Sequence, residues 1–301
     1  MRLASLTTAL GPRLAIQADD GTYRDLTRVD PGLGPDVFAL LRSGDDWAER
    51  ARAAALRAAP IEGASVFRPA VPAPGKMLCL GLNDAEHAEE GGFPIPEHPE
   101  VFARVASSLI GHRQPMLRPR ESEKLDYEVE LAVVLGRGGR RIPAERALDH
   151  VAGYTVFNDG TVRDYQKRTK QWTLGKNFHG TGALGPALVT ADELPRGAAG
   201  LRMTTDVGEE RLQDGSTGAM IFDVPRTIAI LSEAVTFEPG DVIAMGTTAG
   251  VGHARRPPRW LRPGEEVRVE VEGVGVLVNP VVADDDTPAS AAGGSTADRG
   301  R

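Results

Sequence analysis

The chain is predicted to be a mixed α+β protein dominated by strands, and three observations carry that expectation. Stretches of apolar/polar alternation, or of short apolar runs between turn residues, outnumber stretches with helical spacing. Glycine is plentiful, at 35 of 301 residues, and aromatic residues make up only 5%, which suits many tight turns between strands. A content of 41% hydrophobic and 26% charged residues is ordinary for a globular chain long enough to bury a sizeable core.

Residues 1–70 are expected to form a small N-terminal accessory domain. Short strands at 2–7, 14–17 and 22–25 are separated by turn residues, and an alanine- and arginine-rich helix follows from Asp45–Asp46, whose carboxylates suit a helix N-terminus. The proline-rich stretch RPAVPAPGK (68–76) reads as a linker into a larger domain spanning 71–283. MLCLGL (77–82) is a short, wholly apolar strand, and further strands are expected at 125–136, 153–157, 187–190, 201–207, 241–245 and 266–278. Helices are expected at 143–151 and 223–235, the second with Ile228, Leu231 and Val235 at helical spacing. Residues 284–301 lack apolar content and are expected to be a disordered tail. No internal repeat is present.

A formal net charge of -7 argues against a nucleic-acid binder, which carries a basic excess. The cluster Arg255, Arg256, Arg259 and Arg262 reads as a solvated loop rim. A single cysteine, Cys79, excludes an intramolecular disulfide framework and a cysteine-based zinc site. There is no apolar run of membrane-spanning length and no signal-peptide pattern, so a cytoplasmic protein without membrane partners is expected. LGRGGR lacks the third glycine of a dinucleotide fingerprint, and GTTAGVG is not followed by the Lys-Ser/Thr of a P-loop. No G-x-S-x-G elbow and no H-E-x-x-H occur, which disfavours serine hydrolases and zincins.

The stretch LDYEVELAVVLG (125–136) is unusual. Alternation puts Tyr127, Val129, Leu131 and Val133 on one face, and Asp126, Glu128, Glu130, Ala132 and Val134 on the other. Two carboxylates brought to about 4–5 Å repel by about 3–4 kcal/mol at an effective dielectric near 20. Water on that face, protonation of one acid, or a bound cation would each relieve it. A second strand, GYTVFNDGTVRDYQ, carries Asp159 at its C-terminal end with Arg163 and Asp164 beyond, and Lys176 follows in QWTLGKNFHGTG. Two glutamates and an aspartate from neighbouring strands would make an all-oxygen site for a hard cation such as Mg²⁺ or Mn²⁺. Taken singly, Asp159 reads more simply as a turn cap and Lys176 as a surface ammonium.

Residues 77–284 resemble the fumarylacetoacetate hydrolase family, in its bacterial branch of acylpyruvate hydrolases, diene-dioate isomerases and decarboxylases. The matching segments run in order: GLNDAEHAEE, PEVFARVASSLIG, LDYEVELAVVLG, VAGYTVFNDGTVRDYQKRTKQWTLGKNF, GALGPALVTADEL, the stretch from QDGSTGAM to GTTAGVG, and LRPGEEVRVEVEGVGVLVNPVV. The resemblance implies a β-roll catalytic domain at 71–283, a homodimer, and Mg²⁺ or Mn²⁺ held by Glu128, Glu130 and Asp159, with Asp126 outside the ligand set. It implies a mobile lid on which His87 and Glu90 form a water-activating dyad, three residues apart on one helical face. Lys176 would meet the substrate's oxygens, and Arg104, Ser108, Arg163 and Thr247 would be further substrate contacts.

This chain departs from the family pattern at five places. Asp84 replaces the lid tyrosine, Arg104 the lysine of F-x-K, Gly160 a larger apolar residue, His179 an aspartate and Thr248 the loop proline. Four of the five are expected to border the substrate and so to bear on its identity. The expected reaction is metal-dependent hydrolytic C–C cleavage of a 1,3-dicarbonyl of the acylpyruvate type. The alternative is decarboxylation or dienol isomerisation of a 2-oxo diacid at the same site. A metal-binding protein without catalysis is a third possibility, against which the intact His87–Glu90 pair argues.

Overall fold

The computed structural model describes residues 1–92 and 94–284; the expected disordered tail beyond Asp284 falls outside the described residues. Strands dominate it, as expected. Among the described residues, a mixed eleven-stranded sheet forms the body of the molecule. Its main path runs Tyr23–Asp25, Gly11–Gln17, Arg2–Thr8, Gly182–Thr190, Val151–Asp159, Val129–Leu135, Val242–Thr247, Met77–Leu80 and Val101–Ala103. Most neighbours pair antiparallel, but Val242–Thr247 runs parallel to Met77–Leu80. A second sheet of five strands orders Glu210–Ser216, Arg202–Val207, Glu266–Val271, Gly275–Ala283 and Met116–Arg118.

The central strand Val129–Leu135 is buried along its whole length, and its alternation separates two cores. Leu131, Val133 and Leu135 join Met203, Val269 and Leu277 of the five-stranded sheet. Ala132 and Val134 join Leu33, Val37, Leu40 and Ala51 from the N-terminal helices. Each large apolar side chain so buried contributes about 1.5–3 kcal/mol. The N-terminal strands extend the same sheet, because Arg2–Thr8 pairs antiparallel with Gly182–Thr190. The proposed accessory unit of residues 1–70 therefore shares its core with the rest of the chain.

The acidic stretch is not one strand. It divides into Leu125–Asp126 and Val129–Leu135, because side chains satisfy the amides at the break. The Tyr127 amide donates to the Asp126 carboxylate at 2.9 Å, Glu128 to Asn158 Oδ1 at 3.0 Å and Val129 to Gln213 Oε1 at 3.0 Å. A backbone whose donors are already paired has no need of a ladder partner there. Two further expectations are modified. The helix expected at 143–151 is a 3₁₀ segment, Ala144–His150, and the strand expected at 266–278 is a hairpin of Glu266–Val271 and Gly275–Ala283.

The helix Val224–Ala234 forms as expected, with Asp223 capping the Arg226 amide at 2.9 Å. Arg255 and Arg259 do not form a solvated rim: Arg255 donates to the Leu212 carbonyl at 2.6 Å and Arg259 pairs with Glu265 at 2.7 Å. Among the described residues, no helix is long and apolar enough to cross a membrane.

Candidate metal centre and active-site cavity

Two neighbouring strands bring the acids together. Glu130 lies opposite Phe157 on one side and Thr247 on the other. Asp159 ends the strand Val151–Asp159, and its amide donates to the Glu128 carbonyl at 2.9 Å. Each of Glu128, Glu130 and Asp159 offers a carboxylate oxygen within 4.8 Å of the others, and all three residues are buried.

Their surroundings are strongly charged. Arg163 Nη2 donates to Glu128 Oε1 at 2.5 Å, and Lys176 Nζ donates to Glu128 Oε2 at 2.5 Å and Asp159 Oδ2 at 2.6 Å. Arg104 Nη1 donates to Asp159 Oδ1. Asp126 lies outside the triad: it accepts from Arg163 Nε at 2.7 Å and from the amides of Gly252 and His253 at 2.7 and 3.0 Å. Four buried carboxylates thus meet three cations, and among the described residues Glu130 makes no ion pair. Its Oε2 accepts only the Gly246 amide, at 3.0 Å. Gly246 has φ +87°, and a Cβ there would lie 2.9 Å from that of Asn83, so the turn that aims this amide at Glu130 requires glycine.

The pKa directions follow from this arrangement. Burial, then the carboxylates of Asp159 and Glu128, push Glu130 well above the ordinary carboxylate range. Burial also works against ionisation of Glu128, but Arg163 and Lys176 outweigh it and hold that carboxyl low. Burial disfavours the Lys176 ammonium, yet Asp159 and Glu128 raise its pKa, so it stays charged. An all-oxygen donor set with one uncompensated acid fits a hard divalent cation.

A cavity of about 390 Å³ opens over the acids. Glu128, Glu130, Arg163, Lys176 and Thr247 lie on its wall, with Leu80, Leu82 and Trp172 supplying apolar surface. The helix Ala85–Gly91 adds His87 and Glu90. It starts because Asp84 Oδ1 accepts the His87 amide at 2.9 Å, and it ends at Gly92 in the left-handed region. Residues three apart on it meet: His87 Nδ1 is 3.2 Å from Glu90 Oε2. Glu90 Oε1 accepts the Gly250 amide at 3.0 Å, which holds the helix against the 246–252 loop. Burial would raise the Glu90 carboxyl, but hydrogen bonds from His87 and the Gly250 amide bring it below its usual value.

His87, Glu90, Glu128, Glu130, Arg163, Lys176 and Thr247 therefore come together, with Asp159 bound to Lys176 beside them. Two expected substrate contacts lie elsewhere. Arg104 and Ser108 are buried behind Asp159 and do not line the cavity. Besides Asp159, the Arg104 guanidinium donates to the Gly160 carbonyl at 3.1 Å, Thr181 Oγ1 at 3.0 Å and Ser108 Oγ at 3.3 Å. Nor do the five departures border the cavity: Asp84, Arg104, Gly160, His179 and Thr248 are all absent from its lining.

Sequence reasoning missed Gln166, Trp172 and His253, which do line it. Gln166 had a local signal, since it follows Arg163 by three residues and accepts from Arg163 Nη1 at 3.0 Å. Gln213 was missed as well: its Oε1 holds the Val129 amide and its Nε2 donates to Thr247 Oγ1 at 2.9 Å.

The fold and this site define an enzyme of the fumarylacetoacetate hydrolase family, and the chain belongs to it: the family's sequence model, described as "Fumarylacetoacetate (FAA) hydrolase C-terminal", matches residues 76–282. Among similar proteins is human "Oxaloacetate tautomerase FAHD2A, mitochondrial", 40% identical over 279 residues, covering 91% of this chain and 88% of the human one. The solved fumarylacetoacetate hydrolase of psychrophilic Exiguobacterium antarcticum is 31% identical with a TM-score of 0.82, over 94% of this chain and 99% of that one. A maleylpyruvate hydrolase from Sphingobium sp. SYK-6, solved in complex with manganese(II) ion and pyruvate, is 28% identical with a TM-score of 0.78, over 95% of this chain and 100% of that one.

Proposed function

We propose that this chain interconverts the keto and enol forms of a short 2-oxo diacid of the oxaloacetate kind, with Mg²⁺ or Mn²⁺ held by Glu128, Glu130 and Asp159. The observation that carries the reading is the buried acid triad, with its uncompensated Glu130, whose two glutamates line the same cavity as Lys176 and the His87–Glu90 pair. The human relative's printed activity supports the choice of reaction. When bound, the cation supplies Lewis-acid polarisation of the substrate's oxo and carboxylate oxygens.

The residues of the chain do the rest. His87, backed by the Glu90 carboxylate, takes the proton from the carbon next to the oxo group; the C–H electrons form the C=C bond. The C=O electron pair moves onto the oxo oxygen, where the Lys176 ammonium stabilises the developing charge, and the proton held by His87 passes to that oxygen to complete the enol. Thr247, fixed by Gln213, orients the carboxylate, and the helix Ala85–Gly91 excludes water. The homodimer and the cytoplasmic location expected from the sequence belong to the same proposal; light scattering at twice 32.0 kDa and cell fractionation test them.

The acylpyruvate hydrolysis expected from the sequence stands second, and the same His87–Glu90 pair favours it, since a base beside the cavity can equally deprotonate water. One experiment separates the readings. The Mn²⁺-loaded protein is given enol oxaloacetate and, separately, acylpyruvates, with enol absorbance, acid release and CO₂ followed. Faster loss of the enol without CO₂ is expected. Acid release from acylpyruvates with no effect on the enol would overturn the tautomerase reading in favour of hydrolysis, and CO₂ would overturn it in favour of decarboxylation.

A further inference from the structure

The wall of the cavity carries a second histidine–carboxylate contact that the chemistry above leaves unused. His253 lines the cavity from the 246–254 loop, and its Nδ1 lies 3.5 Å from Asp126 Oδ2. The contact is built from several sides. The amides of Gly252 and His253 both donate to Asp126, and Arg163 Nε donates to the same carboxylate. A Cβ at residue 252 would stand 2.5 Å from Asp126 Oδ1 and 1.9 Å from the Arg259 carbonyl, so this close approach needs glycine there.

Asp126 itself is fully buried, and His253 Nδ1 is buried without a hydrogen bond that meets normal geometry. The His253 side chain is nevertheless 26% exposed. The open part of the ring is therefore its other edge, which carries Nε2.

The two cations beside the acids are committed. Arg163 spends Nε on Asp126, Nη1 on Gln166 and Nη2 on Glu128. Lys176 spans Glu128 and Asp159. Leu80 and Leu82 offer a carboxylate nothing, and Glu90, an acceptor, is held by His87 and the Gly250 amide. A substrate anchored by its 2-oxo acid end at the triad needs a donor for its second carboxylate. The cavity wall offers the Trp172 indole N–H, the Gln166 amide and two groups able to meet a carboxylate as cations, His253 and the exposed Lys167. Lys167 must freeze a long, mobile side chain to serve, whereas His253 is already fixed at its Asp126 edge.

We propose that His253, oriented by Asp126, reads the distal carboxylate of the substrate through Nε2 and so selects 2-oxo diacids over 2-oxo monoacids. The assignment rests on the 2-oxo acid reading of the site given above. In the imidazolium both ring nitrogens donate, Nδ1 toward Asp126 and Nε2 toward the distal carboxylate.

The test uses the Mn²⁺-loaded protein and two unreactive probes followed by calorimetry. Oxalate presents the chelating end alone, and malate adds a distal carboxylate. His253→Phe should weaken malate by about tenfold or more, the loss expected for one hydrogen bond to a charged group, while oxalate stays within about twofold. The KM for oxaloacetate should rise in parallel, with kcat changed far less. His253→Gln, which keeps a donor, should fall between, and serves if the phenylalanine variant does not fold. Equal weakening of oxalate and malate, or a malate penalty in Lys167→Ala instead, overturns the assignment. If wild-type protein shows the His253-dependent preference for malate yet turns over no oxaloacetate, the proposed reaction falls and the role of His253 stands.

Discussion

Replacing Arg104 by methionine tests whether this residue reads substrate or holds the site together. The guanidinium is buried and serves four acceptors: Asp159, the Gly160 carbonyl, Thr181 and Ser108. Removing one partner of a buried ion pair costs about 3–5 kcal/mol, because the other charge is left uncompensated. Asp159 keeps Lys176, so a loss near the lower end, about 3 kcal/mol, is expected. Against a total stability of roughly 5–15 kcal/mol, that should lower Tm by on the order of 5–10 °C. Added Mn²⁺ should narrow the gap, since a cation at the triad neutralises the exposed charge. Activity should fall by the same factor on every 2-oxo acid tried. Thermal melts with and without Mn²⁺, and relative rates over a substrate series, decide the matter. A variant that melts with the wild type but changes its substrate preference would refute the reasoning.

Glu130→Ala removes the one triad acid without a cation partner; calorimetry should show loss of Mn²⁺ binding together with turnover, and retained affinity would sink the site. In the cation-free protein the Glu130 carboxyl stays protonated above its usual value of 4.5, so cation binding must expel that proton. Affinity should rise with pH, and titrations in buffers of different ionisation heat should register the release. The same raised carboxyl contributes stability at low pH and loses it as pH climbs through the raised value, so Tm of the chelator-treated protein should drop on the alkaline side of the carboxylate range. His87→Ala or Glu90→Ala should cost about 10²–10⁴ in turnover with Mn²⁺ binding nearly unchanged; loss of binding as well would reassign the pair to the cation site.

The sequence was most informative where periodicity and chemistry coincide. The strands around Glu130 and Asp159 were legible because apolar alternation ran straight into acids; the His87–Glu90 pair was legible only through the family resemblance, since a His/Glu pair three apart on a polar helix is by itself an ordinary surface contact. Arg104, expected to meet substrate from its place in the F-x-K pattern of the family, stands off the cavity lining against Asp159, because a pattern along the chain does not say on which side of Asp159 a side chain arrives. The break at Tyr127–Glu128 was invisible because its cause is distant: Asn158 and Gln213 take amides that a strand would have used. The strand Glu210–Ser216, with the sequence ERLQDGS, is an edge with little apolar content, so it gave no alternation to read. His253 gave no cue at all, since its partner Asp126 lies 127 residues away in the chain.

The burial of Val129–Leu135 on both faces has a consequence for how the chain assembles. Side chains alternate with period two, so a slip of one residue against either neighbour would send Glu130 into the core formed by Leu131, Val133 and Leu135. A carboxylate stranded there without a partner is penalised by several kcal/mol, whereas apolar residues alone would tolerate the error. Glu130 therefore acts as a proofreading mark for strand pairing. Glu130→Leu should refold with more kinetically trapped material than wild type, although it adds apolar surface, and clean refolding of that variant would show that register is enforced elsewhere.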